Sequence, residues 1–196
     1  MEVFGHLESI QEYIWQQLGK APHQKRHSWR TAVIANLVNG QRVLQRTVVL
    51  RKASASSRLL RFYTDTRSTK IQPLPKNDAF SWLFYDERKQ IQLRAQTRAR
   101  LITGDEAAEI WTTVNPYTFK DYASISAPGT PQGTPEGYYP AQDQSALEEA
   151  ARQNFGVLDC VVEEMEFLQL HRQGHRRAQF FWEKSSQGWK GEWLVP

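Results

Sequence analysis

Cysteine is nearly absent from this sequence: Cys160 is the single thiol among 196 residues. One thiol excludes an intramolecular disulfide and any zinc site built from several cysteines. Cys160 lies in an apolar, β-branched run, which favours a buried and unreactive thiol. The five histidines show no HExxH spacing, and the sequence contains neither a G-x-S-x-G elbow nor a Walker loop. The pattern therefore predicts no metal site.

Long apolar runs are also missing. The segment richest in apolar residues, 79–85, is far too short to cross a bilayer. The N-terminus lacks a cationic region followed by an apolar one, so the sequence predicts neither a secretory signal nor a membrane partner. We expect a cytoplasmic protein.

The charges are close to balanced, with 25 basic and 21 acidic residues, a formal charge of +4 and a pI of about 9.2. A mildly basic chain raises the question of nucleic-acid binding. The cations are spread along the chain, however, and no helix carries a sustained basic stripe. A site for a small phosphorylated ligand explains the excess equally well, so we expect no nucleic-acid partner.

The apolar periodicity changes along the chain from helical to strand-like. Leu7, Ile10, Ile14 and Leu18 recur at helical spacing and predict an N-terminal helix over about 6–19. Asn39-Gly40 predicts a hairpin between two strands. A segment rich in Gly and Pro, about 124–143, predicts a long loop.

The remaining elements predict the fold class. Strands are expected at 29–38, 42–50, 59–64, 79–85, 89–101, 155–170, 178–182 and 189–195, and short helices at 68–74, 105–114 and 145–153. Many strands with peripheral helices indicate a single α+β domain, 1–196, that is mainly antiparallel and built around a β-barrel.

The segment 46–70 concentrates hydroxyls and cations near the ends of two predicted strands. Four of these side chains would converge there: Arg46, Thr64, Ser68 and Lys70. Such a turn suits phosphate, because backbone N–H groups and charge-assisted hydrogen bonds act together. On the local pattern alone, solvated charges at strand ends are an equally good interpretation.

Five segments in order resemble the pyridoxamine 5′-phosphate oxidase-like family: RTVVLR at 46–51, FYTD at 62–65, RSTK at 67–70, RKQI at 88–91 and WLVP at 193–196. The resemblance covers about 29–196 and is to the stand-alone flavin-binding branch rather than to the orthodox oxidase. It implies an FMN-binding split β-barrel that works as a homodimer with FMN at the interface.

The resemblance also implies roles for particular residues. Arg46 and Lys70 would bind the FMN phosphate, with Ser68 assisting at the start of the short helix. Tyr63 and Thr64 would reach the flavin ring and the ribityl chain, as would Gln90 from the second subunit. Three backbone positions would lie along the ring: Thr47, Val48 and Val49. Without the resemblance, strand packing accounts for Tyr63 and Thr64, and a solvated side chain for Gln90.

The substrate-binding positions depart from the family pattern. Arg51 takes the place of the family's substrate-phosphate lysine, and Tyr122 matches the tyrosine of the central motif, whose arginine has no counterpart. In the C-terminal Arg-x-His-x-Arg pattern, His175 and Arg177 take the first and middle places, while Gln179 replaces a flavin-contacting arginine. The candidate substrate contacts are therefore Arg51, Tyr122, His175 and Arg177, and pyridoxamine phosphate becomes a doubtful substrate.

The resemblance implies an FMN-dependent oxidoreductase that acts on a small molecule. Oxidation of pyridoxamine or pyridoxine 5′-phosphate is one candidate reaction, and no side chain is assigned as a catalytic acid or base. The main alternative is a protein of the same fold that binds flavin, haem or deazaflavin without turnover, which fold alone does not separate from an enzyme. A nucleic-acid-binding barrel is a third alternative, suggested by pI and aromatic content.

Overall fold

A computed structural model of the protein describes residues 4–38, 40–134 and 143–196. The helices are α1 (Leu7–Lys20), α2 (Gly104–Trp111) and α3 (Gln144–Asn154). The described residues form the strands β1 (Thr31–Val38), β2 (Arg42–Val49), β3 (Lys52–Ser54), β4 (Leu59–Asp65), β5 (Ala79–Asp86), β6 (Ile91–Ile102), β7 (Phe155–Gln169), β8 (Arg176–Glu183) and β9 (Gly188–Leu194). Short 3₁₀ turns cover Ser28–Arg30 and Pro116–Asp121.

The strands form one antiparallel sheet in the order β2-β1-β5-β6-β7-β4-β3. Strand β7 is long enough to pair with β4 through its first half and with β8 through its second half, and β9 continues from β8. The sheet curves so that β2 approaches β4. Just after β2, the Arg51 N–H donates to the Arg61 carbonyl at 2.8 Å, and the chain enters β3. The predicted antiparallel barrel is thus confirmed.

The barrel keeps an open seam between β2 and β4. Within the described residues β2 pairs with β1 alone, so its other edge presents unpaired backbone N–H and C=O groups. Side chains alternate across this edge: Val48 and Leu50 pack into the barrel, whereas Thr47 and Val49 point outward. A molecule lying in the seam can therefore contact both the interior and the outer face.

Two hydrophobic cores lie on the two faces of the sheet. The larger core fills the barrel and is covered at one end by α1, whose Ile10, Ile14 and Leu18 are buried in it. The smaller core lies outside the barrel, where α2 and α3 pack Trp111 and Leu147 against the sheet. Burial on both faces holds β4 and β7 rigidly, which fixes the position of the seam.

Some sequence predictions need correction. The helix expected at 68–74 is wrong, because this segment forms consecutive turns in which Ser68 and Ile71 carbonyls accept from the N–H groups three residues later. Prolines at 73 and 75 remove the donors that a helix needs. The short strand β3 was not predicted. Asn39 of the hairpin lies outside the described residues, as does 135–142 of the long loop, whose described part, 124–134, contains no helix or strand.

Candidate functional site

Five polar side chains meet at one end of the barrel interior, and we call this set the cationic cradle: Asn36, Arg46, Thr64, Ser68 and Lys70. Lys70 Nζ donates to Thr64 Oγ1 at 2.9 Å and to Ser68 Oγ at 2.8 Å. Arg46 donates to the Asn36 side-chain carbonyl. The Asn36 amide in turn donates to the Lys70 backbone carbonyl at 3.3 Å, which links β1 to the turn segment after β4.

The cradle holds two cations in a partly dehydrated place. Burial and the nearby Arg46 charge lower the pKa of Lys70 to about 8. Burial also lowers the pKa of Arg46. Neither residue belongs to an ion pair with any described residue. Uncompensated buried charge is costly unless a ligand neutralises it, so the cradle fits an anion with two negative charges.

The carboxylate next to the cradle is already engaged. Asp65 forms an ion pair with Arg67, with 2.7 Å between Oδ2 and Nη2, and this hydrogen bonding raises the pKa of Arg67. Arg67 also donates to the backbone carbonyls of Ser124 and Ile125, both at 2.9 Å. Arg67 therefore ties the start of the long loop to the segment that carries Lys70.

A second group of side chains, which we call the outer cluster, lies on the opposite face of the sheet: Arg51, Tyr63 and Tyr122. Tyr63 follows the strand alternation and points away from Thr64, its neighbour in the cradle. Its ring centroid is 5.4 Å from the Arg51 guanidinium carbon and 5.1 Å from the Phe155 ring. Tyr122 packs against the same Phe155 ring at 5.3 Å.

The seam connects the cradle with the outer cluster. Arg46 and Arg51 are five residues apart on an extended chain, about 17 Å at roughly 3.3 Å per residue. Arg46 faces the interior and Arg51 the outside. The free edge of Thr47, Val48 and Val49 runs between them. One elongated ligand, anchored in the cradle and passing along this edge, can reach the outer cluster.

Three predicted site residues join neither the cradle nor the outer cluster within one chain. Gln90 occupies the exposed turn between β5 and β6, where its amide donates to the Glu87 carbonyl at 2.7 Å. His175 lies in the exposed turn before β8 and accepts from the His171 N–H at 3.1 Å. Arg177 pairs with Glu166 at 3.0 Å.

These three residues share the other end of the sheet. The register pairs Arg177 with Leu168 and Leu168 with Gln92, next to the turn that holds Gln90. The cradle lies at the level of Ser81, which pairs with Ala35 beside Asn36. Ser81 is five residues from the end of β5. The cradle therefore lies about 17 Å along the sheet from the end that carries Gln90, His175 and Arg177, at about 3.3 Å per residue.

Residues 12–103 match the family model described as "Pyridoxamine 5'-phosphate oxidase, FMN-binding domain". This segment contains the whole cradle and both edges of the seam. Residues 12–103 therefore belong to this domain family. No curated protein sequence matches it.

Two solved structures resemble this chain over most of their lengths. One is a pyridoxamine 5′-phosphate oxidase-related, FMN-binding protein from Nostoc punctiforme, with 20% identity, coverage of 94% of this chain and 96% of that chain, and a TM-score of 0.73. The other is PhzG from Burkholderia lata, solved with tetrahydrophenazine-1-carboxylic acid, with 18% identity, 94% and 91% coverage and a TM-score of 0.70. At these identities the likeness shows the shared split-barrel fold.

Two residues in and beside the cradle were missed in the sequence analysis. Asn36 is 4% exposed and takes a core position of β1, in register with the buried Ala32 and Ile34. A polar residue at a core position is a signal that it has a buried partner. Arg67 gave no such signal, because its contacts with Ser124 and Ile125 join segments that are distant in sequence.

Other site types find no support in the part of the chain that is described. No group of three or more His, Cys, Asp or Glu side chains in 4–38, 40–134 and 143–196 lies close enough to hold a metal ion. In the same residues, no helix is both long and apolar enough to span a bilayer. Cys160 is fully buried, and burial raises the pKa of its thiol to about 12.

Proposed function

We propose that the protein binds FMN, with the phosphate in the cationic cradle, and works as an FMN-dependent oxidoreductase. The observation that carries this proposal is the pair of neighbouring cations, Arg46 and Lys70. Neither forms an ion pair with a described residue, and the carboxylate that acts on Lys70, Asp65, is already paired with Arg67. A phosphate dianion would accept hydrogen bonds from both cations and from the Ser68 and Thr64 hydroxyls. Each charge-assisted hydrogen bond contributes about 1.5–3 kcal/mol.

The seam suits the remainder of FMN. In this proposal residues of β2 and β4 would hold the ribityl chain, and Thr47, Val48 and Val49 would hold the isoalloxazine ring. The unpaired N–H and C=O groups of β2 would then bond the polar edge of the ring. Bound FMN supplies the redox chemistry by taking two electrons from an organic substrate and passing them to an acceptor. The protein would bind and orient both molecules.

We propose a homodimer in which a second copy completes the site. Three exposed apolar side chains, Val33, Leu83 and Tyr85, lie on the outer face of β1 and β5, and the first two are directly paired in register. An apolar sheet face of this kind favours burial against another protein surface. A second copy packed there would bring its own Gln90 towards the flavin, together with His175 and Arg177 from the same end of its sheet.

We assign the substrate to the outer side of the seam. Arg51 and Tyr122 would contact it from one copy, and His175 and Arg177 from the other. Pyridoxamine 5′-phosphate stays one candidate among small molecules, because Gln179 replaces a cation of the family pattern and donates to Glu164 at 2.6 Å.

The double variant Arg46→Ala, Lys70→Ala tests the cofactor site. We expect the wild-type protein to retain about one FMN per chain after gel filtration and the double variant to lose it, because two charge-assisted anchors are removed. The matched control is Arg42→Ala, Lys76→Ala, which removes two exposed cations outside the cradle. Stoichiometric FMN in the double variant, measured by absorption and mass, would contradict the assignment.

Reduction of the bound flavin separates an enzyme from a binding protein. We expect NAD(P)H or pyridoxamine 5′-phosphate to bleach the flavin absorption and air to restore it. Flavin that is retained but reduced by no such donor would favour the binding protein. A haem or deazaflavin spectrum in the purified protein would keep the fold and replace the cofactor.

A further inference from the structure

Asn36 supplies the side-chain amide of the cationic cradle. It is 4% exposed and lies on the interior face of β1, two residues from the buried Ile34. The register pairs Arg46 with Ile34, so Arg46 and Asn36 are diagonal neighbours on one face of the β1–β2 pair. Diagonal positions are about 7–8 Å apart at the backbone, a distance that a long arginine side chain bridges.

Both ends of the Asn36 amide are occupied. The carbonyl oxygen accepts from the Arg46 guanidinium, and the amide nitrogen donates to the Lys70 backbone carbonyl at 3.3 Å. A guanidinium only donates and a backbone carbonyl only accepts, so one orientation of the amide satisfies both partners. Asn36 therefore fixes the relative positions of two segments that each carry a cation, β2 and the turns after β4.

The neutral amide leaves the positive charge of the cradle intact. A carboxylate at position 36 would pair with Arg46 and present an oxygen to the Lys70 carbonyl, whereas an apolar side chain would hold neither partner. The bond to Asn36 is the one side-chain hydrogen bond that Arg46 makes among the described residues. A guanidinium has five N–H donors, so the others stay available to a ligand.

Lys70 keeps a donor in the same way. Its ammonium group has three N–H donors, and the hydroxyls of Thr64 and Ser68 accept two of them. The cradle thus offers donors from two cations whose directions are set by neutral groups alone.

We propose that Asn36 is a positioning residue that prepares the cradle for a phosphomonoester, and that it thereby sets the preference for FMN over riboflavin. It acts through Arg46 and Lys70, which it orients without neutralising either. This inference rests on the proposed function, because it takes the FMN phosphate as the ligand of the cradle. A phosphomonoester carries nearly two negative charges at pH 7 and balances the two cations, whereas riboflavin offers them only hydroxyls.

A second bridging amide, Asn154, provides a matched control. Its nitrogen donates to the backbone carbonyls of Tyr122 at 2.9 Å and of Ala150 at 3.0 Å, so it also joins separate segments. Both partners lie outside the cradle. Loss of this structural bridge should lower the stability of the protein and leave its preference between the two flavins unchanged.

The test measures the affinities of flavin-free wild-type, Asn36→Asp, Asn36→Ala and Asn154→Ala proteins for FMN and for riboflavin, by titration of flavin fluorescence. Inorganic phosphate is a third probe, and its binding is measured as a rise in the midpoint of thermal unfolding. Aspartate at position 36 keeps an acceptor for Arg46, so this variant reports on the charge of the side chain even where alanine destabilises the fold.

We expect FMN to bind about tenfold more weakly to Asn36→Ala and about 100-fold more weakly to Asn36→Asp, because both disturb charge-assisted contacts and aspartate also repels the phosphate. Riboflavin affinity should stay close to that of the wild type in both variants. Asn154→Ala should keep the wild-type ratio of the two affinities. Inorganic phosphate should raise the unfolding midpoint of the wild type and of Asn154→Ala, but not that of Asn36→Asp.

Two results would overturn the inference. One is an equal loss of FMN and riboflavin affinity in the Asn36 variants, which is the behaviour of a structural bridge. The other is an Asn36→Asp protein that binds FMN as tightly as the wild type does. Failure of the proposed function gives a different result, a wild type that does not prefer FMN to riboflavin. Inorganic phosphate then decides on Asn36, whose positioning role stands only if phosphate stabilises the wild type and not Asn36→Asp.

Discussion

Replacing Lys70 by methionine should stabilise the protein without its ligand and abolish FMN retention. In the folded chain the amine is partly dehydrated and faces Arg46, which lowers its pKa from 10.5 to about 8. While the amine is charged, this pKa difference lowers the free energy of unfolding by about 3 kcal/mol, because one pKa unit corresponds to about 1.4 kcal/mol. Methionine keeps the length of the side chain and removes the charge.

Part of that gain is offset by lost hydrogen bonds. Lys70 donates to the Thr64 and Ser68 hydroxyls, and each bond contributes about 1 kcal/mol. We therefore expect Lys70→Met to raise the free energy of unfolding of the FMN-free protein by about 1–3 kcal/mol at pH 7. Such an increase in the free energy of unfolding would indicate that the charge of Lys70 serves ligand binding and lowers the stability of the ligand-free protein.

The effect should depend on pH with a defined sign. In the unfolded chain the lysine stays charged up to its ordinary pKa of 10.5, and in the folded chain up to about 8. Below pH 8 folding buries a charged amine and the full cost applies. Between about pH 8 and 10.5 folding releases a proton, so the cost declines and the wild type approaches the stability of the variant.

Urea unfolding of FMN-free protein at pH 7 and at pH 10 measures both effects. The control is Lys76→Met, an exposed lysine in the same turn segment, for which we expect a change within about 0.5 kcal/mol at either pH. A Lys70→Met protein that is less stable than the wild type at pH 7 would refute the reasoning. So would a stability difference that is the same at both pH values.

The remaining predictions concern the loop and the proposed dimer. Arg67→Ala removes hydrogen bonds to Ser124 and Ile125, so we expect proteolysis within 124–134 to become about tenfold faster than in the control. The control is Arg100→Ala, which loses an exposed ion pair, and equal rates in the two variants would contradict this role of Arg67. Leu83→Asp places a charge on the exposed apolar face, and light scattering should show monomers that release FMN, whereas a dimer with full FMN would contradict the proposed interface.

Much of the fold could be predicted from local patterns. The spacing of Ile10, Ile14 and Leu18 predicted α1, because one apolar stripe must face the core. The strand predicted at 89–101 corresponds to β6, in which buried and more exposed side chains alternate. The helix predicted at 68–74 is replaced by turns, since the prolines at 73 and 75 lack the N–H donors that a helix needs. Strand β3 has three residues, too few to show a period.

The candidate site, like the fold, could be predicted from the sequence only in part. Arg46, Thr64, Ser68 and Lys70 were grouped from the sequence, because their cations and hydroxyls are concentrated in one segment, 46–70. In the structure Lys70 donates to Thr64 and Ser68, and Arg46 donates to Asn36. The hydrogen bonds of Asn36 to the cradle and of Arg67 to the long loop join segments that are distant in sequence. No local pattern encodes such contacts, since they arise when the sheet curves.

By itself the sequence determined the alternation of strands, the family membership of residues 12–103 and the chemistry of the cationic segment. The tertiary structure decided on which face each side chain acts. Tyr63 and Thr64 are neighbours in the chain, yet one lies in the outer cluster and the other in the cradle. The physical reason is that a strand alternates its side chains strictly, while the closure of the barrel defines the inside and leaves the seam between β2 and β4 open.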